Sequence, residues 1–259
     1  MTSSKDEVRI RVLTNRDIGH GHWARALLAV LARHEGWMPT RFGQYEPLRH
    51  RYADGGAAAF ERCWLAEPAT GDVIFKTGPT IGGLGWVRWR RAWNQTFNSA
   101  SLYLPVAKLK AVGTDVVLRL AEDLFCTLGG TYGMVTTDGE FQSQHCLDET
   151  DTNVHGVHLE EQIPGVYFAN FFGPELVKFL GADRLASCPA VSNKALPGGG
   201  WCTATAESPL DWADQGALDL KRRVRSHLGE RKFFDIEEPN AATVAPLYDF
   251  SEVRVGERP

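Results

Sequence analysis

The stretch GVYFANFFGPELVKFLGADRLAS, residues 165–187, carries the clearest structural signals in the chain. Its first part, 166–172, is rich in aromatic and β-branched residues, which predicts a strand buried on at least one face. Pro174 then takes the first position of a predicted helix, and Gly181 is placed to end that helix in a left-handed conformation. The stretch therefore predicts a scaffold of one strand and one helix. We expect four of its apolar side chains to be buried: Phe171, Phe172, Leu176 and Phe179.

The order of strand and helix patterns along the rest of the chain bears on the fold class. Apolar residues at helical spacing predict helices over 23–34, 107–128 with a break at Gly113, and 219–228. Strands are predicted over 8–13, 86–93, 131–136 and 232–236, in a hairpin over 62–75, and in two arms around the glycines 198–200. The residues after 136 are predicted to form an acidic loop. Strands grouped with intervening helices favour an α+β fold, an antiparallel or mixed sheet with helices mainly on one face.

The length and composition of the chain limit the number of domains and the cellular compartment that we predict. The 259 residues are 43% apolar and 23% charged, ordinary globular values. We predict one continuous domain over 1–259, with two halves, 1–145 and 146–259, as the alternative. The first residues are charged where a signal peptide is apolar, and no run approaches the ~20 apolar residues of a membrane span, which predicts a cytoplasmic protein. The five cysteines form no C-x-x-C pair, which argues against a disulfide framework or a thiolate zinc site.

Charge is unevenly distributed along the chain. Residues 1–119 have a net charge of +7, whereas residues 120–177 contain ten acidic residues and no Lys or Arg. The acidic residues are densest between positions 148 and 161. One interpretation is a solvated loop whose partners are the basic residues of the first part. The other is a surface for a basic partner, formed by Asp148, Glu149, Asp151, Glu160 and Glu161.

The stretch HCLDETDTNVHGVHLEE, residues 145–161, gathers residue types that bind zinc or iron. A metal-dependent enzyme would use His145, His155 and His158. The spacing is not H-E-x-x-H, and the local polarity predicts a loop instead of a helix that would align two imidazoles. Because no nucleophile elbow, kinase, zincin or nucleotide signature is present, the sequence favours a protein that is not an enzyme and needs no cofactor.

Three further motifs contain residue types that are found in binding sites. WVRWRRAW, residues 86–93, has the composition of a nucleic-acid stacking surface, which would use Trp89, Arg88, Arg90 and Arg91. A strand over an ordinary sheet gives the same pattern, with Trp86, Arg88 and Arg90 on one face and Val87, Trp89, Arg91 and Trp93 on the other, and the rest of the chain is not basic. TGPTIGGLG, residues 77–85, lacks the Lys-Ser/Thr ending of a phosphate-binding loop. GHGHW, residues 19–23, is typical of a turn before a helix.

Two pieces of the chain carry a family resemblance: GVYFANFFGPELVKFLGADRLASCPA and GGGWCTATAESPLDW, which together make up about a sixth of the sequence. They resemble the immunity proteins of bacterial polymorphic toxin systems, in particular the family numbered fifty-two, with the type VI secretion immunity proteins as neighbours. The resemblance implies an α+β protein without cofactor or catalytic residues that binds and blocks a cognate toxin. It implies no active site whose residues could be carried over.

Overall fold

The computed structural model of the protein describes residues 6–67, 69–90, 97–147 and 153–253, and it has an α+β fold. Eight α-helices and ten strands lie within these residues, and the paired strands of known register are antiparallel. The predicted fold class is confirmed. The chain divides into two compact units, residues 1–133 with 249–259 and residues 134–248. The single-domain organisation and its alternative division near residue 145 stay predictions.

The first unit contains an antiparallel sheet with the strand order β3-β2-β4-β5-β6-β1. Its strands are β1 (Glu7–Thr14), β2 (Pro39–Gly43), β3 (His50–Arg51), β4 (Thr70–Thr77), β5 (Leu84–Arg90) and β6 (Asn98–Pro105). β1 shows why these segments are strands: in the sequence EVRIRVLT, the residues Val8, Ile10 and Val12 are buried and the residues between them are half-buried. Charged side chains on one face and apolar ones on the other therefore place the core on one side of β1.

Four helices belong to the first unit: α1 (Gly21–Arg33), α2 (Tyr52–Leu65), α3 (Val106–Val112) and α4 (Thr114–Thr127). The predicted break at Gly113 is confirmed, because this residue separates α3 from α4 with a φ of 91° that other residues rarely adopt. The predicted hairpin over 62–75 is wrong in its first arm. Residues 62–65 are the last turn of α2, whose Phe60 and Trp64 lie one turn apart and are both buried.

Aromatic side chains from α2 and the sheet form the core of the first unit. The rings of Trp64 and Trp89 stack with centroids 4.9 Å apart, and Phe60 contacts Phe42 and Phe75 edge to face. Both buried indoles keep a hydrogen bond, because Trp64 Nε1 donates to a carbonyl 2.8 Å away and Trp89 Nε1 to another at 2.9 Å. α2 is thereby fixed against β2, β4 and β5.

The second unit has the strand order β7-β8-β10-β9, and β10 pairs antiparallel with both of its neighbours. β7 (Tyr132–Thr137) begins before the boundary between the units; the others are β8 (Ala169–Phe172), β9 (Ser192–Ala195) and β10 (Trp201–Ala204). Its helices are α5 (Asp138–His145), α6 (Pro174–Leu180), α7 (Ala182–Ala186) and α8 (Gln215–Leu228). Within the described residues, no helix has the length and apolarity needed to span a membrane.

The opening stretch of the sequence folds largely as predicted. Phe171, Phe172 and Leu176 are at most 2% exposed, and Gly181 ends α6 with a φ of 94°. The burial of Phe179 was predicted wrongly. This residue is half-buried, and the ammonium of Lys232 lies 4.6 Å from the centre of its ring.

Two other predictions in this unit are wrong. Residues 138–145 form α5 instead of an acidic loop, and the Thr137 hydroxyl caps the helix by accepting the N–H of Glu140 at 3.1 Å. Residues 232–236 form no strand in the described structure, where Phe233 makes only an isolated parallel bridge to Ile163. A short 3₁₀ turn, Glu230–Lys232, precedes that bridge.

Candidate functional site

The predicted acidic surface is described only in part. Asp148, Glu149 and Asp151 lie outside the described residues. Glu160 and Glu161 lie in a turn in which the N–H of Glu161 donates to the carbonyl of His158 at 3.0 Å. Glu161 is exposed and Glu160 is half-buried. In the part of the chain that the structure describes, neither carboxylate forms an ion pair.

The Glu160 carboxylate acts on a neighbouring phenol. Burial raises the pKa of the Tyr248 hydroxyl, and the negative charges of Glu160 and Glu175 raise it further. Tyr248 therefore stays neutral at every physiological pH. Glu160 therefore lies near a protonated hydroxyl, whereas Glu161 is exposed.

His145 belongs to a buried hydrogen-bond network and is not available as a metal ligand. Its Nδ1 lies 2.6 Å from the carbonyl oxygen of His155, and its Nε2 lies within hydrogen-bond distance of the Tyr167 hydroxyl. Because a carbonyl only accepts, Nδ1 carries the proton and Nε2 accepts from the tyrosine. The ring is fully buried and packs against Phe141 and Phe234.

The structure does not assemble the three histidines predicted for a metal-dependent enzyme. The main-chain carbonyl of His155 contacts His145, and the carbonyl of His158 accepts hydrogen bonds within a turn. Among the residues that the structure describes, no group of three or more His, Cys, Asp or Glu side chains has the arrangement of a metal site.

The WVRWRRAW segment forms β5 as far as residue 90, and residues 91–93 lie outside the described residues. Val87 and Trp89 face the core whereas Arg88 is exposed, so the predicted alternation is confirmed there. Trp89 is 0% exposed and has no ring face for a base. Arg88 Nε donates to Asp72 at 2.9 Å, and its guanidinium lies 4.5 Å from the centre of the Trp86 ring. These contacts are those of a sheet surface, with an arginine stem over an indole.

The glycine-rich TGPTIGGLG segment closes the hairpin between β4 and β5. The Gly83 N–H donates to the Thr77 hydroxyl at 2.8 Å, and the Thr77 N–H donates to the Gly83 carbonyl at 3.0 Å. A Cβ at Gly83 would lie 2.3 Å from the Tyr103 carbonyl oxygen, so a larger residue does not fit. The glycines are therefore needed where two backbone segments lie close together.

A buried ion pair is the most strongly charged contact in the interior of the second unit. Glu140, on α5, is 0% exposed, and its Oε1 lies 2.5 Å from the Nζ of Lys221 on α8. Its Oε2 accepts from Thr136 at 2.7 Å, and Lys221 also donates to the Trp212 carbonyl at 3.1 Å. Burial raises the pKa of Glu140, and the positive charge of Lys221 opposes that shift. The pair links α5 to α8, and Lys221 also lines a cavity of about 160 Å³.

A cavity of about 510 Å³ lies in the first unit, between α2 and the loop that joins β2 to β3. One wall is a single face of α2, because its residues follow at intervals of three and four: Ala59, Arg62, Cys63 and Ala66. The other wall is the loop over 43–50, in which Tyr45 is 75% exposed. The volume lies in the range of about 300–1,000 Å³ that is usual for ligand pockets.

The cavity carries positive charge. Arg49 and Arg62 line it and are exposed. Neither side chain has a hydrogen bond or an ion pair to another described residue. The single carboxylate of the lining, Glu46, is paired with Lys76 at 3.3 Å. Burial raises the pKa of the Cys63 thiol, so this side chain is a neutral surface and a poor nucleophile. The cavity is suited to bind anionic groups.

Sequence reasoning missed this cavity because residues 62–65 were assigned to a strand. In a helix, the pattern A-x-x-R-C-x-x-A over 59–66 places an arginine between two small residues on one face. That spacing is the signal that was available. The opposite wall follows from tertiary packing, and no local pattern predicts it.

Comparison with known proteins supports the fold. No protein-family model matches the chain, and no curated protein sequence matches it significantly. Among solved structures, the Pseudomonas aeruginosa T6SS protein PA0821 is similar, with a TM-score of 0.64 and 12% identity over 97% of this chain and 82% of that one. At this identity the likeness shows a common fold.

Proposed function

We propose that the protein is a non-catalytic immunity-type protein that binds a bacterial toxin in the cytoplasm and blocks it. The observation that carries the proposal is the likeness to a T6SS protein over 97% of the chain. It extends well beyond the sequence pieces that resemble immunity proteins, and both are compatible with a role related to type VI secretion. The proposal rests on their agreement.

The residues behind the sequence resemblance support a binding role, because they are structural. Phe171 and Phe172 lie in the core, Gly181 ends α6, and the Ser208 hydroxyl accepts the N–H of Leu210 at 3.2 Å to cap a 3₁₀ turn. A pattern of this kind specifies a fold. The recognition of a partner then depends on exposed residues elsewhere.

The buried polar groups of the second unit are also engaged internally. Glu140 is paired with Lys221, and His145 bonds through both ring nitrogens. Catalytic acids and bases must reach a substrate, usually in a cleft. These side chains instead hold helices and strands together, which favours inhibition by binding over turnover.

We further propose that the acidic segment contributes to binding, through Asp148, Glu149, Asp151, Glu160 and Glu161. A toxin that attacks nucleic acid presents Lys and Arg to phosphates, and complementary charge accelerates association with such a surface. Reversal of all five charges should slow association with the toxin, and the deficit should shrink as salt rises because screening removes the steering. Unchanged association at low salt would remove this surface from the proposal.

The proposed function predicts that a neighbouring gene encodes a large secreted protein with a toxic C-terminal domain, and that protein serves as the test. Its C-terminal domain is expressed in a bacterial host with and without this chain. We expect growth arrest without this chain, rescue with it, and co-purification of the two proteins. As a matched control, a Leu176→Asp variant, which places a charge in the core, should fail to rescue. Growth arrest that persists beside soluble, folded wild-type protein would contradict the proposal.

A further inference from the structure

The cavity between α2 and the 43–50 loop has chemistry that the acidic segment lacks. Arg49 belongs to the loop wall and Arg62 to the helix wall, so two arginines line the same space. Each guanidinium presents a fixed fork of N–H donors that matches a carboxylate or a phosphate. Within the described residues, neither has a partner of its own.

From this arrangement we propose that the cavity is a docking site for carboxylate side chains on an acidic loop of a partner protein. The inference rests on the proposed function, because the partner that it describes is the toxin. It adds a basic recognition site in the first unit to the acidic segment of the second. The same toxin would then meet charges of both signs.

The edge of the sheet adds positive charge near the cavity. β3 is the last strand of the first unit's sheet, and its register sets Arg51 directly opposite Arg41 of β2. Like charges in this position repel each other and destabilise a strand pair. Both side chains are exposed, and neither has a counter-ion among the described residues. An acidic partner would neutralise this edge together with the cavity.

The shape of the cavity favours side chains over a nucleic-acid strand. Ala59 and Ala66 have small side chains on either side of Arg62, so the helical wall leaves a concave space of about 510 Å³. Binding of a single strand requires a continuous basic groove with several aromatic rings for the bases. Among the lining residues, Tyr45 and His50 carry the exposed rings, and the His50 ring is stacked on Phe42 at 5.3 Å, which leaves Tyr45 for stacking on a base. A protruding loop with two or three carboxylates fits this space.

The inference is tested on the full chain with a fluorescein-labelled peptide of eight glutamates, by fluorescence polarisation at low salt. Arg49→Glu with Arg62→Glu should weaken binding by at least 10-fold, since hydrogen bonds to charged groups typically contribute a factor of about 10 to 100 each. The matched control is Lys110→Glu with Arg119→Glu. These residues are exposed on α3 and α4 of the same unit, and the change in net charge is the same.

A second pair of variants separates shape from charge. Ala66→Trp fills the cavity without changing charge, and we expect it to weaken peptide binding by at least 10-fold. Ala58→Trp, at an exposed position of α2 outside the cavity lining, should leave binding unchanged. All four substituted arginine and lysine positions are exposed, so the variants should retain the wild-type melting temperature, which is measured first.

Three outcomes would overturn the inference. Equal losses in the arginine variant and its control would show a diffuse effect of net charge. Tighter binding of an eight-residue oligothymidine than of the peptide would show a nucleic-acid surface. Toxin that binds the wild type and the Arg49→Glu, Arg62→Glu variant equally well would remove the cavity as a docking site while leaving the proposed function intact. Failure of the toxin to bind the wild type would instead contradict the proposed function, and the peptide result would still decide the chemistry of the cavity.

Discussion

Replacing Glu140 by glutamine should be among the most destabilising polar substitutions in the protein. The carboxylate is 0% exposed and the side chain of Lys221 is 11% exposed, so neither charge is well solvated. At the 2.5 Å separation of the two atoms, the attraction is about 7 kcal/mol for an effective dielectric constant of about 20. The desolvation of both ions offsets much of this attraction. In the Glu140→Gln variant the desolvation of Lys221 remains and its main counter-charge is gone.

We therefore expect Glu140→Gln to lower the free energy of unfolding by about 3–5 kcal/mol. Lys221 keeps one acceptor, the Trp212 carbonyl at 3.1 Å, which places the cost below that of an isolated buried ammonium. The double variant Glu140→Leu with Lys221→Met removes both charges and retains the volume. It should be within about 1–2 kcal/mol of the wild type or more stable.

Urea unfolding at pH 7, followed by far-UV circular dichroism, measures both changes. Asp219→Asn, which breaks the exposed pair with Arg222 on the same helix, is the control and should cost less than about 1 kcal/mol. If Glu140→Gln unfolds within about 1 kcal/mol of the wild type, or if the double variant is as unstable as the single one, the reasoning about this pair is refuted.

Three other substitutions or reagents test the packing and the titrating groups. Phe172→Ala should lower the free energy of unfolding by about 3–5 kcal/mol because its ring is buried. Phe179→Ala should lower it by only about 1–2 kcal/mol, because the half-buried ring mainly loses its contact with an ammonium. Equal losses of stability in urea unfolding would contradict the different burial of these two rings. Partial burial alone would raise the pKa of Asp123, but hydrogen bonds from a histidine and an arginine hold it below its ordinary 3.8. The stability that this carboxylate contributes is therefore complete above pH 3.8 and is lost as the pH falls through the lower pKa of the folded state. The difference in unfolding free energy between the wild type and Asp123→Asn should shrink on acidification. A difference that grows would contradict this account. Burial raises the pKa of the Cys188 thiol to about 11, so iodoacetamide at pH 8 should alkylate it far more slowly in the native protein than in urea, as mass spectrometry can show; equal rates would show that this thiol is accessible.

The scaffold of the second unit was readable from sequence because its signals are local. Pro174 at the start of α6 and Gly181 at its end act through their own backbone conformations. Gly113 likewise marks the boundary between α3 and α4. Proline fixes φ and glycine tolerates a positive φ wherever they occur, so a single sequence suffices to place them.

The missed helices show where local signals conflict. α2 begins with YADGG, and Gly56 within it has the non-helical angles φ 55° and ψ −151°. Two adjacent glycines before aromatic and β-favouring residues indicate a turn and a strand, yet the buried pair Phe60 and Trp64 stabilises a helix instead. Thr137 and Glu140 have the spacing of a capping box, which indicates the start of α5. The surrounding acidic residues favour a loop instead.

The candidate site was beyond sequence reasoning for a different reason. Arg49 and Arg62 approach each other only because a loop folds over one face of α2, and Lys221 reaches Glu140 only because α8 packs beside α5. Such contacts depend on tertiary packing, which no short pattern encodes. The exposure of Phe179, half-buried in spite of its apolar spacing, has the same origin.

The central claim is that the protein neutralises a toxin by occupying it, without turnover. Titration of a fixed amount of the adjacent gene's toxin domain with this chain, followed by residual toxin activity, tests that claim directly. A binding inhibitor should abolish activity linearly up to a fixed stoichiometric ratio, with a stable complex at the end point by size-exclusion chromatography and light scattering. Complete inactivation by a small fraction of an equivalent, increasing with incubation time and leaving no complex, would show a catalytic antagonist and contradict the account.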